Sequence, residues 1–415
     1  MATRTPTQSP RRSPPSRPPS RQHRTQRRYR RRRIIASVLL VLAILFIWTS
    51  VSFVSTMVNP SYGVTYSARA AEWGRDHGLG VLVNWWEAEW YRLHPAKVGG
   101  KPPASAFTNS TTPTVPTGSA AVGLPVPARL PSPAGAWLPG EGVWVPAGRT
   151  VNGVPAIYTT TVRPDAVHTS YVVGVAWMDT KLLSASLYSG SYIPGGGPYT
   201  RTAPITPAAS ASLEAAFNAG FRMQDANGGY YTDGRMILPL RTGAASMVIY
   251  KDGSAAVGSW GSDVSMTPQV VSVRQNLDLI VTNGKPVAGL SASDNSRWGA
   301  TLGGGALVWR SGIGETKDGA LVYVGGPSLA ITSLANLLAE AGAVRAMELD
   351  INPDWVQYST YTGAQHAPVA GANGVSLLPT MIGSPSRYFE SYWIRDFFTM
   401  SARSTPDTSP IAALP

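Results

Sequence analysis

The chain has 415 residues, of which 43% are hydrophobic and 14% are charged. Soluble domains carry about 25% charged residues, so this composition excludes a highly charged disordered protein and leaves ample sequence for a sizeable core. The net charge of +12 lies in the tail: residues 1–33 hold 12 of the 35 basic residues and no acidic one, which leaves 23 basic against 23 acidic residues elsewhere. We therefore expect no nucleic-acid binding, and the absence of Cys excludes disulfides and thiolate chemistry.

The N-terminal region predicts a membrane anchor. Residues 1–33 are rich in Arg, Pro and Ser, which predicts a disordered tail. Residues 34–58 carry no charge and exceed the roughly 20 residues that a membrane-spanning helix needs. A cleaved signal peptide would have a shorter apolar region, about 7–15 residues. The Arg cluster at 30–33 places the tail in the cytoplasm and the rest of this single-pass protein outside the cell membrane.

The next two segments connect this anchor to the main domain. Residues 59–96 predict two short amphipathic juxtamembrane helices, divided near Gly78. Their Trp and Tyr side chains could lie in the membrane interface or pack on the domain, and the sequence leaves both interpretations open. Residues 97–134 are rich in Pro, Ser and Thr, which predicts an exposed linker.

Residues 135–403 predict one α+β domain with a mixed sheet, followed by a flexible C-terminus at 404–415. Strand-like runs are separated by turn signals such as Lys251-Asp252-Gly253 and Lys317-Asp318-Gly319, which favour hairpins. The runs lie at 156–162, 171–177, 246–250, 277–281 and 320–324. One clear helix is predicted at 328–341, with Ser328 as its cap and Gly342 after its end.

Two carboxylates follow this helix in an alternating apolar pattern. On a strand, Glu348 and Asp350 would share one face and raise each other's proton affinity. Pro353 ends the strand and places Asn352 at its mouth. This arrangement suits an acid/base pair or a cation site, although the carboxylates could instead be structural groups satisfied by backbone donors and an Arg. No cofactor motif is present, and a divalent cation at the carboxylates is left open.

Two further stretches contain candidate binding residues. Residues 217–235 interleave Gly and aromatic residues with polar ones, so that Asn218, Arg222 and Asp233 could contact an anion or a sugar hydroxyl. Arg310 ends an apolar run that follows the Gly303–Gly305 triplet. It could bind a phosphate bidentately or serve as the structural partner of a carboxylate. No Gly-Lys-Ser/Thr follows the triplet, which excludes a phosphate-binding P-loop.

These stretches, in this order, resemble the phosphodiester glycosidase family. The residues that carry the resemblance are Phe217-Asn218-Ala219-Gly220-Phe221, Arg310-Ser311-Gly312-Ile313-Gly314, Gly342-Ala343 and Leu349-Asp350. The resemblance covers roughly 210–355 and implies a hydrolase that releases a sugar from a phosphodiester in an envelope glycan. It implies catalytic roles for Asp350 and Glu348.

By the same resemblance, substrate would contact Asn218, Arg222, Asp233, Arg310 and Asn352, and the partners would be membrane lipid and a phosphate-linked glycan. The chain departs from the family at Ile351-Asn352-Pro353-Asp354, where the family has a Gly-rich turn. This departure favours an alternative, a non-catalytic glycan-binding or scaffold protein that kept the fold. A third interpretation is a structural membrane protein whose residues 61–96 dock a partner. The sequence does not specify an oligomeric state.

Overall fold

A computed structural model describes residues 21–107, 123–291, 293–299, 307–391, 393 and 395–407. The chain divides into two units, Met1–Val58 and Asn59–Pro415. Within the described ranges the α-helices are α1 Arg21–Val58, α2 Tyr66–Asp76, α3 Gly80–Leu93, α4 Pro207–Ser210, α5 Asn295–Trp298 and α6 Ile331–Glu340. Short 3-10 helices span Pro60–Tyr62, Ala104–Phe107, Gly371–Asn373 and Pro385–Phe389.

The strands alternate with short turns over most of the second unit. They are β1 Val145–Pro146, β2 Thr150–Val151, β3 Val154–Pro155, β4 Ile157–Val162, β5 Val173–Met178, β6 Leu183–Tyr188, β7 Leu213–Asn218, β8 Tyr230–Thr232, β9 Arg235–Leu238, β10 Ala245–Tyr250, β11 Ala255–Ser259, β12 Val270–Gln275, β13 Leu279–Thr282, β14 Lys285–Pro286, β15 Val308–Thr316, β16 Leu321–Leu329, β17 Ala343–Glu348, β18 Tyr358–Tyr361, β19 Gly374–Ser376 and β20 Phe397–Ala402. The predicted α+β class is confirmed.

Three antiparallel sheets and one small hairpin build the domain. The eight-stranded sheet has the order β1-β4-β5-β16-β15-β17-β13-β14. Two five-stranded sheets follow the orders β11-β10-β12-β8-β9 and β19-β18-β7-β20-β6. The two turn signals at Asp252 and Asp318 join β10 to β11 and β15 to β16, as the Gly after each Asp predicts. Side chains from all three sheets meet in one large hydrophobic cluster, which fixes the relative positions of the strand ends.

Helix α6 covers one face of the eight-stranded sheet. Its apolar stripe of Ile331, Leu334 and Leu338 is fully buried there, which agrees with the predicted periodicity. Gly342 follows the helix with a positive φ of 97°, the conformation that glycine tolerates best. The predicted cap is wrong: Ser328 lies in β16 with φ 60°, and α6 begins after Ala330 with no side-chain cap.

The described part of the N-terminal unit is one long helix, α1. Residues Arg28–Val58 form a span apolar and long enough to cross a membrane, which a signal sequence could also satisfy. The helix begins at Arg21, inside the segment 1–33 for which the sequence predicts a disordered tail. Arg is a good helix former, so the helix extends from the apolar segment back into the Arg-rich residues before it. Residues 1–20 lie outside the described part.

The predicted linker is only partly a linker. Residues 108–122 lie outside the described residues. Leu130 is 1% exposed and belongs to the core cluster beneath α6, and Leu124 is buried beside it. The domain core therefore starts before residue 135. The neighbouring Pro residues made this segment resemble a linker in the sequence, but its two Leu side chains are buried in the core cluster. At the other end, residues 408–415 lie outside the described part.

A buried carboxylate on β15 gives a testable pH dependence. Glu315 is 6% exposed, and burial raises its pKa to about 7, against the lowering effects of the Val257 N–H and Arg345. Since the folded pKa lies above the unfolded value, this group's stabilising contribution is fully present below pH 4.5 and is lost as the pH rises through 7.

We expect Glu315→Gln to flatten this dependence, with the wild type losing at most about 3 kcal/mol relative to the variant between pH 4.5 and 8. The amide oxygen of Gln can still accept from Val257, so the variant keeps the buried hydrogen bond. Chemical denaturation of the full chain in detergent micelles at several pH values measures the difference. Parallel curves for the two proteins would contradict the assignment.

Candidate active site

Three chain segments meet at one end of the sheets and enclose a small cavity. They are the end of β7, the loop after β17 and the loop before β20. The cavity has a volume of about 10 Å³ and is lined by Asn218, Ala219, Gly220, Asp350, Trp355, Tyr388, Trp393, Arg395 and Asp396. This volume holds about one water molecule.

Asp350 lies on the cavity wall, just past the end of β17. Its backbone carbonyl accepts hydrogen bonds from the N–H and the hydroxyl of Ser311 on β15, at 3.0 and 2.7 Å. Its carboxylate accepts from the Asn352 N–H at 3.0 Å and forms a close ion pair with Arg395. Burial raises the pKa of Asp350, while Arg395 and the Asn352 N–H oppose that rise. Asp350, which the sequence predicts as a catalytic residue, therefore lines the cavity.

Arg395 and Asp396 bring opposite charges to the same cavity. The Arg395 guanidinium stacks 4.6 Å from the centroid of the Trp355 ring. Asp396 is paired with Arg274 at 2.6 Å, and both side chains are 1% exposed. Among the described residues, Arg395 Nη1 and Asp396 Oδ1 are buried polar atoms with no hydrogen-bond partner. Such orphaned atoms are costly in a folded protein unless a ligand or water meets them.

Two indole rings form the apolar part of the wall. Trp355 and Trp393 lie with ring centroids 5.3 Å apart. The Arg387 guanidinium packs 4.5 Å from the Trp393 ring, so that the two indole rings lie between two guanidinium groups, in the order Arg395, Trp355, Trp393 and Arg387. Flat apolar rings beside charged donors suit a sugar attached to an anion, because ring faces pack on C–H groups and guanidinium groups bind oxygens.

Glu348 does not share the cavity with Asp350, contrary to the predicted pair on one strand face. The strand ends at Glu348, and each carboxylate has its own Arg partner. Glu348 is fully buried and accepts from Arg310 at 2.5 Å, while Arg310 also donates to the Leu329 carbonyl at 2.9 Å. Burial raises the pKa of Glu348 to about 7, an effect that Arg310 opposes. Arg310 is therefore placed as the structural partner of a carboxylate, and neither residue lines the cavity.

Asn218 lies at the cavity but its side chain is fully engaged with protein groups. Its amide nitrogen donates to the Ser311 hydroxyl at 3.0 Å and to the Ala219 carbonyl at 2.9 Å. Its amide oxygen accepts from the Tyr323 hydroxyl at 2.9 Å and from the Gln357 N–H at 3.1 Å. Asn218 thus ties the end of β7 to β15, β16 and the segment before β18, which fixes the position of Asp350 through Ser311.

The turn after Asn218 approaches another buried amide closely. A Cβ on Gly220 would come within 2.7 Å of Asn276, so only glycine fits there. Asn276 accepts from the Phe221 N–H at 3.1 Å and donates to the Glu348 carbonyl at 2.8 Å. The turn is therefore stabilised by a protein amide, and the Phe221 N–H does not point to a ligand.

Arg222 lies outside the cavity lining and contacts helix α2. It donates to Glu72 on α2 at 3.0 Å and to Asp225 at 3.0 Å. On the same side, the Asp354 carboxylate accepts from the Thr65 N–H at 2.8 Å. The segment that contains α2 therefore packs across the region next to the site, and it occupies Arg222.

The remaining two predicted residues accept hydrogen bonds from backbone N–H groups. Asn352 accepts from the Asp354 N–H at 2.9 Å and thereby shapes the turn after Asp350. Asp233 lies in the turn between β8 and β9 with φ 52°, where it accepts from the Thr200 N–H at 2.7 Å. Neither lines the cavity, and the structure does not bring Asp233 together with the other predicted residues.

The sequence reasoning missed the group that faces Asp350. Trp393, Arg395 and Asp396 come from the segment just before β20, and Trp355 follows the altered turn. A signal was present: the adjacent Arg395 and Asp396 interrupt an aromatic run that continues into Phe397. Charged residues placed directly before a buried strand indicate a paired or functional position.

The donor set does not suit a divalent cation. Asp350 is next to the Arg395 guanidinium and Asp396 is next to Arg274, so each carboxylate is already neutralised by a fixed positive charge. Among the described residues no three His, Asp or Glu side chains are grouped closely enough to hold a metal ion.

Comparison with known proteins adds the family. The model of the phosphodiester glycosidase family matches residues 211–350. No curated protein matches the chain. The zebrafish N-acetylglucosamine-1-phosphodiester alpha-N-acetylglucosaminidase catalytic domain, auto-inhibited by its pro-peptide, shares 15% identity over 62% of this chain and 87% of its own, with a TM-score of 0.38. A hypothetical protein from Synechocystis shares 12% identity over 62% of this chain and 64% of its own, with a TM-score of 0.32.

The family match spans β7 to Asp350 and so contains six of the seven predicted site residues, all except Asn352. It stops before Arg395 and Asp396, which complete the cavity from outside the matched segment. The ordered motifs that suggested the family lie inside it. Residues 211–350 of this chain therefore belong to the phosphodiester glycosidase family, and the predicted family is confirmed.

Proposed function

We propose that the protein is a membrane-anchored extracytoplasmic hydrolase that releases a sugar from a sugar phosphodiester of an envelope glycan. The observation that supports this most directly is the cavity lined by Asp350, Arg395 and Asp396, in which Arg395 pairs with Asp350. Two carboxylates and one cation on a shared wall match the requirements of a reaction that expels a phosphate from an anomeric carbon. The family match supports the same class of reaction.

Arg395 would bind the phosphate. Its Nη2 pairs with Asp350, while its buried Nη1 has no partner among the described residues and could donate to a phosphate oxygen. Stacking on Trp355 holds the guanidinium plane in place without using its donors. Arg310 and Glu348, as a buried pair, would support the strand ends and have no direct contact with substrate.

The reaction consumes one water molecule. The water oxygen would bond to the anomeric carbon while the bond from that carbon to the phosphodiester oxygen breaks. The phosphate monoester would leave with the bonding electron pair and its charge would be stabilised by Arg395. Asp350 would accept the water proton as general base. Asp396, with one oxygen free of hydrogen bonds in the described structure, would contact the sugar ring or its developing positive charge.

Substrate entry requires a change in the wall. The cavity of about 10 Å³ admits one water but no sugar. The loop that contains Trp393 and Arg395 would have to move outward for the ring to lie against Trp355. The second candidate, a non-catalytic glycan-binding or scaffold protein, is favoured by the altered turn at Ile351-Asn352-Pro353-Asp354.

Helix α1 would be the anchor. The span Arg28–Val58 is long enough to cross a bilayer, and the Arg-rich residues before it would stay on the cytoplasmic side. The unit Asn59–Pro415 would then lie outside the cell membrane, where phosphate-linked glycans occur. The partners would be membrane lipid and that glycan, with no role for nucleic acid.

An assay of the full chain in detergent micelles tests the proposal. We expect free sugar from a panel of sugar-1-phosphodiesters but not from aryl glycosides, and the same rate with EDTA, since the pocket carboxylates are paired with Arg. Glu214→Gln is the matched control, because it breaks a buried ion pair with Arg149 (3.1 Å) that does not line the cavity. A folded protein that binds the glycan without releasing sugar would instead support the non-catalytic alternative.

A further inference from the structure

Helix α3 exposes its apolar side. The helix has 14 residues, and its outward face consists mainly of large apolar side chains. Three of them are Trp, and Trp85 and Trp86 are 62% and 50% exposed. The exposed apolar residues of this face are Val81, Leu82, Trp85, Trp86, Trp90 and Leu93.

The inward side of the same helix is polar at its centre. Glu87 is 9% exposed, and both of its carboxylate oxygens accept from Arg75 of α2 at 2.7 Å. Tyr91 packs against a buried cluster of the domain that includes Phe221 and Ile351. A helix on the surface of a water-soluble protein buries its apolar stripe and exposes its charges. Helix α3 has the reverse pattern, which indicates that its outward face has an apolar partner.

The outward face has no net charge. Its charged residues, Glu89 and Arg92, pair with each other at 2.5 Å. A protein partner that binds by charge complementarity would therefore have no net charge on this face to pair with. Exposed Trp rings with a neutral ion pair are instead typical of helices that lie in the membrane–water interface, where the indole has an apolar face and a polar edge.

The chain itself brings this face to a membrane. Helix α1 ends at Val58 and α2 begins at Tyr66, so seven residues separate them. Fully extended, they reach at most about 25 Å. The start of α2 is therefore tethered to any bilayer that α1 crosses, and α2 is joined to α3 by an ion pair between Arg75 and Glu87.

We propose that the outward face of α3, formed by Val81, Leu82, Trp85, Trp86, Trp90 and Leu93, lies in the extracytoplasmic interface of the bilayer that α1 crosses. This inference rests on the proposed membrane anchor. It goes beyond that anchor, because it assigns a second, peripheral contact that holds the domain against the membrane. Since Tyr91 of α3 packs on the cluster that contains Ile351, and Ile351 follows Asp350, the candidate site would lie close to the membrane-bound helix.

The absence of Cys allows a direct test by site-directed spin labelling of the full chain. The variants are Leu82→Cys and Leu93→Cys on α3, Leu42→Cys in α1 and Met236→Cys on β9 as an exposed control. Leu82, Leu93 and Met236 are 58%, 60% and 51% exposed, so labelling disturbs no core contact. The labelled protein is reconstituted in phosphatidylcholine–phosphatidylglycerol vesicles, and collision rates with oxygen and with a water-soluble nickel chelate are measured.

We expect the oxygen-to-nickel ratio at Leu82 and Leu93 to exceed that at Met236 several-fold and to fall below that at Leu42. A ratio at Leu82 and Leu93 equal to that at Met236, with Leu42 in the hydrocarbon, would overturn the inference and leave the anchor intact. A water-like Leu42 would overturn both. Spin–spin broadening at Leu82 without lipid contact would also overturn it, because a second copy of the chain would then cover this face.

Discussion

Asp350→Asn is expected to lower the rate of sugar release by about 10²–10⁴-fold, the usual contribution of a general base. The single amide oxygen of Asn can still accept from the Asn352 N–H, so the turn after Asp350 should stay in place, while the hydrogen bond from Arg395 to the other carboxylate oxygen is lost. The loss should therefore appear in kcat with a small change in KM. Steady-state assays of the full chain with a sugar-1-phosphodiester measure both.

The pH dependence gives an independent readout of the same residue. Burial raises the pKa of Asp350, and Arg395 lowers it. The base is active when ionised, so kcat/KM should fall on acidification through that pKa. In Arg395→Gln the lowering effect is lost, and the acid limb of the residual activity should move to higher pH.

Two results would contradict this role for Asp350. One is an Asp350→Asn protein with full activity. The other is an unchanged acid limb in Arg395→Gln. Glu214→Gln serves as the control for general loss of stability, because Glu214 is also a buried carboxylate paired with an Arg but lies outside the cavity lining.

Arg310→Met is expected to destabilise the fold by about 3–5 kcal/mol at pH 8. The variant removes the partner of Glu348, which is 0% exposed and would keep an uncompensated buried charge. The pKa of Glu348 is already raised to about 7 by burial, and losing Arg310 raises it further. The destabilisation should therefore shrink as the pH falls, because Glu348 then becomes neutral.

The double variant Arg310→Met/Glu348→Leu separates support of the fold from substrate binding. Replacing both charges by apolar side chains is often close to neutral for stability, so we expect most of the lost free energy of unfolding to return, and sugar release with it. Chemical denaturation and the phosphodiester assay are run on the same preparations. A stable double variant with a strongly raised KM would contradict this and would indicate that Arg310 binds the phosphate.

The sequence predicted well those features that depend only on residues close together in the chain. The apolar span of α1, the two helices after it, the Gly-containing hairpin turns and the stripe of α6 all follow from contiguous residues. The family motifs also placed Asn218 and Asp350 at one site, because each lies at the end of a strand in a recognisable order. The boundaries of the predicted segments were less accurate: α1 starts at Arg21, and Leu130 is buried although it lies in the predicted linker.

The pairing of charges could not be read from the sequence. Glu348 and Asp350 are two residues apart, yet one faces Arg310 in the core and the other faces Arg395 at the cavity. Arg395 is 45 residues away from Asp350 along the chain. The choice between these partners depends on which strand ends meet, and that depends on the packing of three sheets around one core.

By itself, then, the sequence determined the class of fold, the family of residues 211–350 and the apolar segment before the domain, since these depend on composition, periodicity and ordered motifs. Only the tertiary structure decided that Asp396 and Arg395 line the cavity with Asp350, that Arg310 pairs with Glu348 in the core and that α3 exposes its Trp side chains. The physical reason is that a side chain's role depends on its burial and on its long-range partner, and both are fixed only when distant segments pack together.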